Sequence, residues 1–338
     1  MTFIVRAAGL GDLEAIYRMA KSTGGGFTNL PPDRKTLRAK LDRTAACFAR
    51  DEDSVADDLF VFILEDAASG EARGTCQIFS HIGVSWPFYS YRIATMTQQS
   101  KELGRTFRAE MLQLCTDLDG SSEVGGLFLA AGERSAGTGK LLARSRYLFM
   151  AMHRPRFGDR TIAELRGAID DTGNSPFWDG VAGRFFGMNF READEFNAVN
   201  GNQFIADLMP KHPIYTAMIG EGALAVMGVP HTSGRAAMRM LEDEGFRYEN
   251  YVDIFDGGPT MCAATDRIAT VQGARTAVVT RIEPEPLEAT HLVAHGRLAE
   301  FCAALGAVVD HDAGVSLDAA TAALLGVALG DSITFVER

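Results

Sequence analysis

The sequence predicts an α+β fold in which helices flank a central twisted mixed sheet and a small, mostly β appendage follows at the C-terminal end. Three observations predict this class. Short β-rich apolar runs alternate with segments of helical spacing through most of the chain. One buried strand candidate is followed by a glycine-containing turn and then by a helix with an apolar face. From about Ala277 the pattern changes to short apolar runs separated by turn signals.

The first elements can be placed in order. Residues 3–8 predict a strand, and an amphipathic helix is expected after Asp12, because apolar residues then recur at helical spacing. Residues 21–33 contain three consecutive glycines and a Pro-Pro pair, which predict a loop with unusual backbone angles. Residues 59–64 and 75–79 are apolar runs that predict an antiparallel hairpin.

The middle of the chain continues the alternation of strands and helices. The predicted elements are a strand at 124–130, a helix over 141–152, a strand at 161–169, a helix at 176–186 ending near Gly187, a helix at 236–244 closed by Gly245 and a strand at 248–255. The appendage contains apolar runs at 277–282, 307–309 and 332–336. We therefore expect one domain over residues 1–275 and a small, mostly β subdomain over residues 276–338.

Composition limits the classes of function. The 338 residues are 46% hydrophobic, which supports a substantial core. The net charge of -11 argues against a nucleic-acid partner, because such binding depends on clustered Lys and Arg. No early segment has the features of an export signal and no apolar run has the length of a membrane span, so we expect a cytoplasmic protein without a membrane partner. Five scattered cysteines suit a reducing compartment.

The most informative segment for chemistry is residues 127–142, where an apolar strand leads through a glycine-containing turn into a helix. Its core runs Arg134-Ser135-Ala136-Gly137-Thr138-Gly139. Glycines at 137 and 139 let backbone N–H groups approach an anion at the positive end of the following helix. This pattern predicts a site for a pyrophosphate group.

Three other interpretations compete for this segment. A Walker A loop fits Gly139-Lys140, but Arg134 stands in place of the first glycine and Leu141 in place of the metal-binding hydroxyl. A dinucleotide fingerprint needs a third glycine where Leu142 stands. The third interpretation is a loop whose glycines merely make a tight turn.

The segment resembles motif A of the GNAT superfamily, Arg/Gln-x-x-Gly-x-Gly/Ala between a strand and a helix. The resemblance implies a GNAT-like fold for residues 1–275, with helical insertions. It also implies that the loop amides hold the CoA pyrophosphate and that the splayed strand binds the pantetheine arm and polarises the thioester. The residues implied to bind acyl-CoA are Leu127, Phe128 and Leu129 along the strand, with Arg134, Gly137 and Gly139 at the phosphates.

Further blocks resemble the arginine N-succinyltransferase family and occur in the same order. They are the Ser-Thr-Gly-x-Gly-x-Thr-x-Leu-Pro loop at residues 22–31, Pro-Phe-Tyr-x-Tyr-Arg at 87–92, Ala-Glu-Leu-Arg-Gly at 163–167, Ser-Pro-Phe-Trp at 175–178, Phe-Ile-Ala-Asp-Leu-Met-Pro at 204–210 and Tyr-Val-Asp-Ile-Phe-Asp-Gly-Gly-Pro at 251–259. One departure is the motif loop at 130–133, which lacks the Asp- and His-rich residues associated with close relatives.

The family resemblance implies transfer of succinyl from succinyl-CoA to the α-amino group of L-arginine, by direct attack in a ternary complex, as the first step of an arginine breakdown route. Succinyl-CoA is then a co-substrate, and no permanently bound cofactor and no metal are expected. The partners implied are these two small molecules and either a second copy of the chain or a homologous subunit. Two alternatives remain open: an arginine/ornithine succinyltransferase subunit of a hetero-oligomer, and a non-catalytic CoA-binding protein of the same fold.

Side chains for the chemistry can also be named. His231 matches the proton donor proposed in the family, and imidazole suits that role because its pKa lies near working pH. Arg92 is the candidate to bind the succinyl carboxylate. The alternative is that Arg92 forms a structural salt bridge. The substrate guanidinium needs carboxylates, for which Glu164, Asp253 and Asp256 are equally suitable on sequence grounds.

Two further patterns indicate what chemistry is not expected. His291 and His295 have the spacing of two zinc ligands on one helix face, but no Glu lies between them, so a structural helix is predicted there. No Gly-x-Ser-x-Gly elbow and no recognisable cysteine nucleophile occur in the sequence. Covalent acyl-enzyme chemistry is therefore disfavoured.

Overall fold

The computed structural model describes residues 2–23, 29–133, 137–170, 172–200 and 203–338, without the side chains of Glu195 and residues 197–200. The strands are β1 (Phe3–Ala7), β2 (Leu59–Asp66), β3 (Ala72–Phe79), β4 (Ser90–Ser100), β5 (Arg105–Cys115), β6 (Ser122–Leu129), β7 (Arg160–Glu164), β8 (Ile214–Tyr215), β9 (Arg247–Asp253), β10 (Pro259–Ala264), β11 (Arg275–Glu283), β12 (His291–His295), β13 (Cys302–Gly306), β14 (Val308–His311), β15 (Gly314–Asp318) and β16 (Ser332–Glu337). The helices are α1 (Leu13–Ser22), α2 (Arg34–Ala49), α3 (Thr138–Met152), α4 (Pro176–Gly180), α5 (Gly183–Phe186), α6 (Phe190–Asn200), α7 (Gln203–Leu208), α8 (Glu221–Val226), α9 (Arg235–Asp243), α10 (Ala269–Gly273) and α11 (Ala319–Leu325).

The chain divides into two compact units, each assembled from segments that are distant in the sequence. The first unit comprises Met1–His81, Ser122–Asp159 and Ala264–Arg338, and the second comprises Ile82–Ser121 and Arg160–Ala263. The C-terminal strands therefore share a unit with the N-terminal strands. The domain division at residues 275 and 276 stays a prediction.

The first unit is built on a mixed sheet with the strand order β14-β15-β11-β16-β12-β13-β1-β2-β3-β6. Its β11–β15 pair is parallel, whereas β1 pairs antiparallel with both β2 and β13. The register places Ile4 of β1 opposite Ala304 of β13. The C-terminal β region is thus appended to the edge of the N-terminal sheet by backbone hydrogen bonds, and the predicted α+β class with a mixed sheet is confirmed.

Alternation along β2 explains how helices cover both faces of this sheet. Leu59, Val61 and Ile63 point to one face and pack with apolar residues of α1 and α2. Phe60 and Phe62 point to the other face, where their rings lie 5.0 Å and 5.1 Å from the ring of Phe149 on α3. A fully apolar strand is buried on both faces in this way, and the predicted β2–β3 hairpin and α3 are confirmed.

The second unit has its own sheet and its own core. Its strand order is β7-β10-β9-β4-β5-β8, and β4 and β5 form a long antiparallel hairpin. Short helices between β7 and β9 pack on this sheet around Trp178, which is fully buried and donates its indole N–H to the carbonyl of Met188 at 2.9 Å. The helix and strand predicted after residue 236 are confirmed as α9 and β9.

Three predicted elements differ from the structure. The strand predicted over 161–169 ends at Glu164, because the chain then turns to form an isolated bridge between Gly167 and Pro230. The single helix predicted over 176–186 is two short helices, α4 and α5. At Gly180 the chain passes so close to Ala223 that an added Cβ would lie 2.4 Å from the Ala223 methyl carbon.

The helix predicted at His291 and His295 is wrong: these residues begin and end strand β12. β12 pairs with β13 on one side and β16 on the other, which buries the three residues between the histidines. Tertiary pairing thus overrides the local spacing. Several elements were not predicted, among them helix α2 and the long β4–β5 hairpin, in which charged and polar residues interrupt the apolar ones.

Within the described ranges, no helix is both long enough and apolar enough to cross a bilayer.

Candidate active site

Strand β6 of the first unit carries a β-bulge just before the residues expected to line acyl-CoA. In its pairing with β3, Thr75 lies opposite Phe128 and Gln77 lies opposite Gly125. Gly126 and Leu127 therefore both stand opposite Cys76 alone, which interrupts the ladder and turns the strand. Gly126 has φ 58°, a backbone conformation that favours glycine, and an added Cβ would lie 3.0 Å from the Gln77 side chain. Leu127 of the bulge and the next two residues, Phe128 and Leu129, are half-buried.

The glycine turn continues directly into α3. Gly137 is the N-cap residue with φ 84°, and its carbonyl accepts the Leu141 amide at 3.0 Å. Gly139 is the second residue of the helix and is half-buried. The positive end of the α3 dipole therefore lies at the two glycines that the motif specifies. Arg134 lies outside the described residues, as do residues 24–28 of the N-terminal glycine loop, and its predicted role stays a prediction.

Three polar contacts hold this part of the first unit together. Buried Arg146 on α3 donates from Nη1 to the carbonyl of Gly125, at 3.4 Å, which ties the helix to the bulged strand. Asn29 donates its side-chain amide to Glu123 at 3.3 Å and accepts the Lys40 ammonium at its carbonyl. Desolvation of that ammonium group lowers the pKa of Lys40 to about 8. Sequence patterns gave no sign of this Lys40–Asn29–Glu123 contact.

His231 lies in the second unit and is fixed through both its backbone and its ring. Its amide donates to the carbonyl of Arg166 at 2.7 Å, next to the Gly167–Pro230 bridge. The Nδ1 atom accepts the Ser233 amide at 3.2 Å and lies 2.7 Å from the Ser233 hydroxyl oxygen. In the neutral ring the proton is therefore on Nε2. Burial, and then the positive charge of Arg166, lower the pKa of His231.

A turn between β9 and β10 braces the segment that holds His231. Asp256 is buried, and its two carboxylate oxygens accept the amides of Gly167 at 2.7 Å and Gly258 at 2.8 Å. Asp253 accepts the amides of Phe255 and Asp256, each at 2.7 Å. Burial, followed by the charge of Asp253, raises the pKa of Asp256 to about 8, and burial also raises the pKa of Asp253. Both carboxylates are thus engaged with the backbone.

Arg92 extends from β4 and has an acidic neighbour. Its Nη1 lies 3.3 Å from a carboxylate oxygen of Asp117, which also accepts the Tyr251 hydroxyl at 3.0 Å. The Arg92 side chain is 55% exposed. This ion pair is the arrangement that the salt-bridge alternative expects, and a contact of Arg92 with substrate stays a prediction. Glu164, the third carboxylate considered for the guanidinium, is the last residue of β7.

The sites named from the sequence fall into two sets. Leu127–Leu129, Gly137 and Gly139 belong to the first unit, and Arg92 and His231 belong to the second. Among the described residues, no group of three or more His, Cys, Asp or Glu side chains is arranged to hold a metal ion. His291 and His295 have separate hydrogen bonds, to Thr290 at 2.8 Å and to the carbonyl of Leu325 at 3.2 Å.

The chain is similar to known protein families and sequences over nearly its whole length. The family model described as "Arginine N-succinyltransferase beta subunit" matches residues 3–270, and the model for the C-terminal domain of that subunit matches residues 274–337. An arginine N-succinyltransferase of Salmonella schwarzengrund is 40% identical, covering 99% of this chain and 97% of its own length. The enzyme of the same name from Enterobacter sp. (strain 638) is 42% identical, covering 89% and 88%.

A solved structure extends the likeness to three dimensions. It is that of arginine/ornithine succinyltransferase subunit AI from Pseudomonas aeruginosa, and it superposes with a TM-score of 0.90 at 33% identity over 99% of this chain and 98% of its own. Fold and matches together define the class: the chain is an acyltransferase enzyme with a GNAT-like fold. It belongs to the arginine N-succinyltransferase family.

Proposed function

We propose that this chain transfers the succinyl group of succinyl-CoA to the α-amino group of L-arginine, by direct attack within a ternary complex. The observation that carries the proposal is the 40% identity, over 99% of the chain, to a protein named arginine N-succinyltransferase. The named activity requires a donor site, a polarised thioester carbonyl and a group that can protonate the leaving thiolate. Residues suited to each task are present.

The bulged strand and the start of α3 form the proposed site for the donor. Leu127, Phe128 and Leu129 would line the acyl-CoA arm, because the bulge at the start of this segment interrupts the pairing of β6 with β3. Gly137 and Gly139, with Arg134, would hold the pyrophosphate at the positive end of α3. Glycine at 137 is required by the backbone itself, since φ there is 84°.

The proposed chemistry moves one proton and exchanges one bond. The neutral α-amine attacks the thioester carbon, the C–N bond forms, and the C–S bond breaks with its electron pair left on sulfur. The nitrogen gives up one proton and the CoA thiolate takes one up. His231 is the proposed donor to sulfur, because its Nδ1 is engaged with Ser233 and Nε2 is left for a substrate. In the imidazolium form it gives the Nε2 proton to the thiolate and becomes the neutral ring, and the proton released by the amine restores the imidazolium.

The role of Arg92, the cellular location, the assembly and the amine specificity are also proposed. Arg92 is proposed to contact the succinyl carboxylate, which would require it to exchange its Asp117 partner. The chain is proposed to be cytoplasmic and to form a homodimer or a hetero-oligomer with a homologous subunit. A dual arginine and ornithine specificity is the second candidate function, which the arginine/ornithine name of the Pseudomonas aeruginosa subunit favours.

The test is thiol release by the purified protein with succinyl-CoA or acetyl-CoA against L-arginine, L-ornithine, L-lysine and no amine. We expect release with succinyl-CoA and L-arginine, and the rate with L-ornithine decides between the two candidate functions. If CoA binds but no amine releases thiol, the chain needs a partner subunit or is a non-catalytic CoA-binding protein. Product mass identifies which nitrogen is acylated.

A further inference from the structure

Arg166 is a half-buried arginine whose charge has no acidic partner among the residues that the structure describes. It follows β7, at the point where the chain leaves the sheet of the second unit. Its Nε atom is inaccessible to solvent and has no hydrogen-bond acceptor among the described residues. Within those residues no carboxylate lies within 4.0 Å of its guanidinium group. A buried N–H donor of a cation is costly to leave without an acceptor, and a bound anion would supply one.

Two other arginines of comparable or greater burial form ion pairs. Arg6, with its side chain 30% exposed, forms ion pairs with Asp12 at 2.9 Å and Glu65 at 2.6 Å. Arg156, which is fully buried, lies 2.7 Å from Asp53. Arg92, the other arginine considered for a substrate contact, is more exposed and is paired with Asp117. Buried Arg146 has no carboxylate partner either, but it donates to the carbonyls of Ala143 and Gly125, whereas the Nε atom of Arg166 has no acceptor among the described residues.

The backbone around Arg166 places its side chain beside His231. Gly167 and Pro230 form an antiparallel bridge, so Arg166 and His231 are the next opposed pair, and the His231 amide donates to the Arg166 carbonyl. Opposed residues of an antiparallel pair direct their side chains to the same face, with Cβ atoms about 5 Å apart. The effect of the Arg166 charge on the pKa of His231 is consistent with this proximity.

The segment is also rigid. The Gly167 amide is held by Asp256, and an added Cβ at Gly167 would lie 2.3 Å from the Asp256 carbonyl oxygen and 2.8 Å from the Gly258 nitrogen. The chain at 166–167 therefore cannot shift without breaking the β9–β10 turn. The guanidinium group that extends from this braced backbone has a planar fork of N–H donors, which matches the geometry of a carboxylate.

We propose that Arg166 binds a substrate carboxylate beside His231, either the terminal carboxylate of the acyl donor or the α-carboxylate of the amino-acid acceptor. This inference rests on the proposed function, because it assumes that the substrates react at His231. It adds a side chain that binds a substrate carboxylate next to the reacting centre. Both possible ligands share the same chemistry, and neutral analogues distinguish them.

The experiment compares Arg166→Gln with wild type on two pairs of substrates. Butyryl-CoA has the same acyl chain length as succinyl-CoA without the carboxylate, and agmatine is arginine without its α-carboxylate. If Arg166 binds the carboxylate of succinyl-CoA, Arg166→Gln lowers the preference for succinyl-CoA over butyryl-CoA in kcat/KM roughly 10- to 100-fold. The preference for arginine over agmatine is then kept. If Arg166 binds the α-carboxylate of L-arginine, the preference for arginine over agmatine falls and the preference for succinyl-CoA over butyryl-CoA is kept.

Two further variants make the result specific. Arg166→Lys keeps the charge but not the fork, and it should recover part of the lost preference. Arg160→Gln removes a half-buried arginine of β7 that has no proposed role, and both preferences should be unchanged. Thermal unfolding verifies that each variant is folded. If both preferences survive in Arg166→Gln, the proposal is overturned, even if kcat falls.

Failure of the proposed function would be recognised separately. If wild type releases no thiol with succinyl-CoA and L-arginine, the activity assignment fails while the carboxylate site can still be measured. Calorimetry would then compare binding of each charged ligand and its neutral analogue by wild type and Arg166→Gln. A loss of affinity confined to one carboxylate ligand supports the site, and equal affinities for all four ligands in both proteins contradict it.

Discussion

The imidazole of His231 is oriented by its neighbours in the free protein. Its backbone is held by Arg166 and its Nδ1 by Ser233, so that Nε2 carries the proton of the neutral ring. Burial, and then the adjacent cation, lower the pKa of His231, which favours the neutral form. A carboxylate bound at Arg166 would offset that cation, and the pKa of His231 would then move back up when substrate is present.

The residue-scale prediction concerns His231→Ala. Loss of a positioned proton donor should lower kcat by roughly 10²- to 10⁴-fold with little change in the affinity for succinyl-CoA. Steady-state kinetics and direct binding of succinyl-CoA measure the two quantities. His212→Ala is the control, because His212 is an exposed histidine of the same unit. Unchanged turnover in His231→Ala would remove this residue from the mechanism.

At the scale of elements, the bulge in β6 and the glycine cap of α3 are consecutive features of one strand–turn–helix segment. The bulge requires Gly126 at φ 58°, and the cap requires Gly137 at φ 84°. A side chain at either position would strain the backbone, whatever space is available for it. These glycines thus determine the course of the backbone at the proposed acyl-CoA site.

Gly126→Ala should therefore damage both stability and donor binding. We expect the free energy of unfolding to fall by about 1–2 kcal/mol, because an alanine is forced into a left-handed conformation. We also expect weaker succinyl-CoA binding with the KM for L-arginine unchanged. Urea unfolding and a donor titration measure these effects. Gly11→Ala is the control, since no atom lies within 4 Å of its added Cβ. Undiminished donor affinity would argue against a role for the bulge.

A second element-scale prediction concerns the β9–β10 turn. In Gly167→Ala the added methyl group would meet the Asp256 carbonyl oxygen at 2.3 Å, so the bracing segments must separate and the Gly167–Asp256 hydrogen bond is lost. The free energy of unfolding should fall by more than about 2 kcal/mol, and kcat should fall with it. Gly222→Ala, which meets no atom within 4 Å, should change neither. Full activity in Gly167→Ala would show that the brace does not position His231.

At the scale of the whole molecule, the two ends of the chain complete one unit. β13 pairs with β1, and Phe301 packs against Phe62 and Phe149 with ring centroids 5.5 Å and 5.1 Å apart. Half-buried Ile4 also packs against the apolar core of the C-terminal strands. The proposed subdomain over residues 276–338 therefore contributes directly to the core around the N-terminal strands.

A fragment of residues 1–275 should accordingly fail to fold cooperatively. Removing the C-terminal strands exposes one edge of β1 and takes Phe301 out of the aromatic cluster. Circular dichroism during thermal unfolding measures the transition, with the full chain as reference. A cooperative transition of the fragment near the midpoint of the full chain would contradict this and support residues 1–275 as an independent domain.

Local patterns in the sequence were enough for much of the fold and for the family. The strand–glycine–helix segment, the β2–β3 hairpin and helix α9 were predicted because their signals lie within a few consecutive residues. Apolar spacing alone did not reveal the β4–β5 hairpin, because its polar alternation resembles a loop. At His291 and His295 the local spacing indicated a helix, whereas pairing on both sides made a strand.

The sequence by itself determined the class of enzyme and the glycine turn before α3, since each rests on contiguous motifs, whereas the choice of His231 as the proposed donor rests on the family resemblance. Only the tertiary structure decided that Asp256 braces Gly167, that Arg92 is paired with Asp117 and that unpaired Arg166 stands opposite His231. These relations join residues 25 to 89 positions apart in the chain. No local period encodes such contacts, because they depend on how distant segments meet once the sheet and the core have formed.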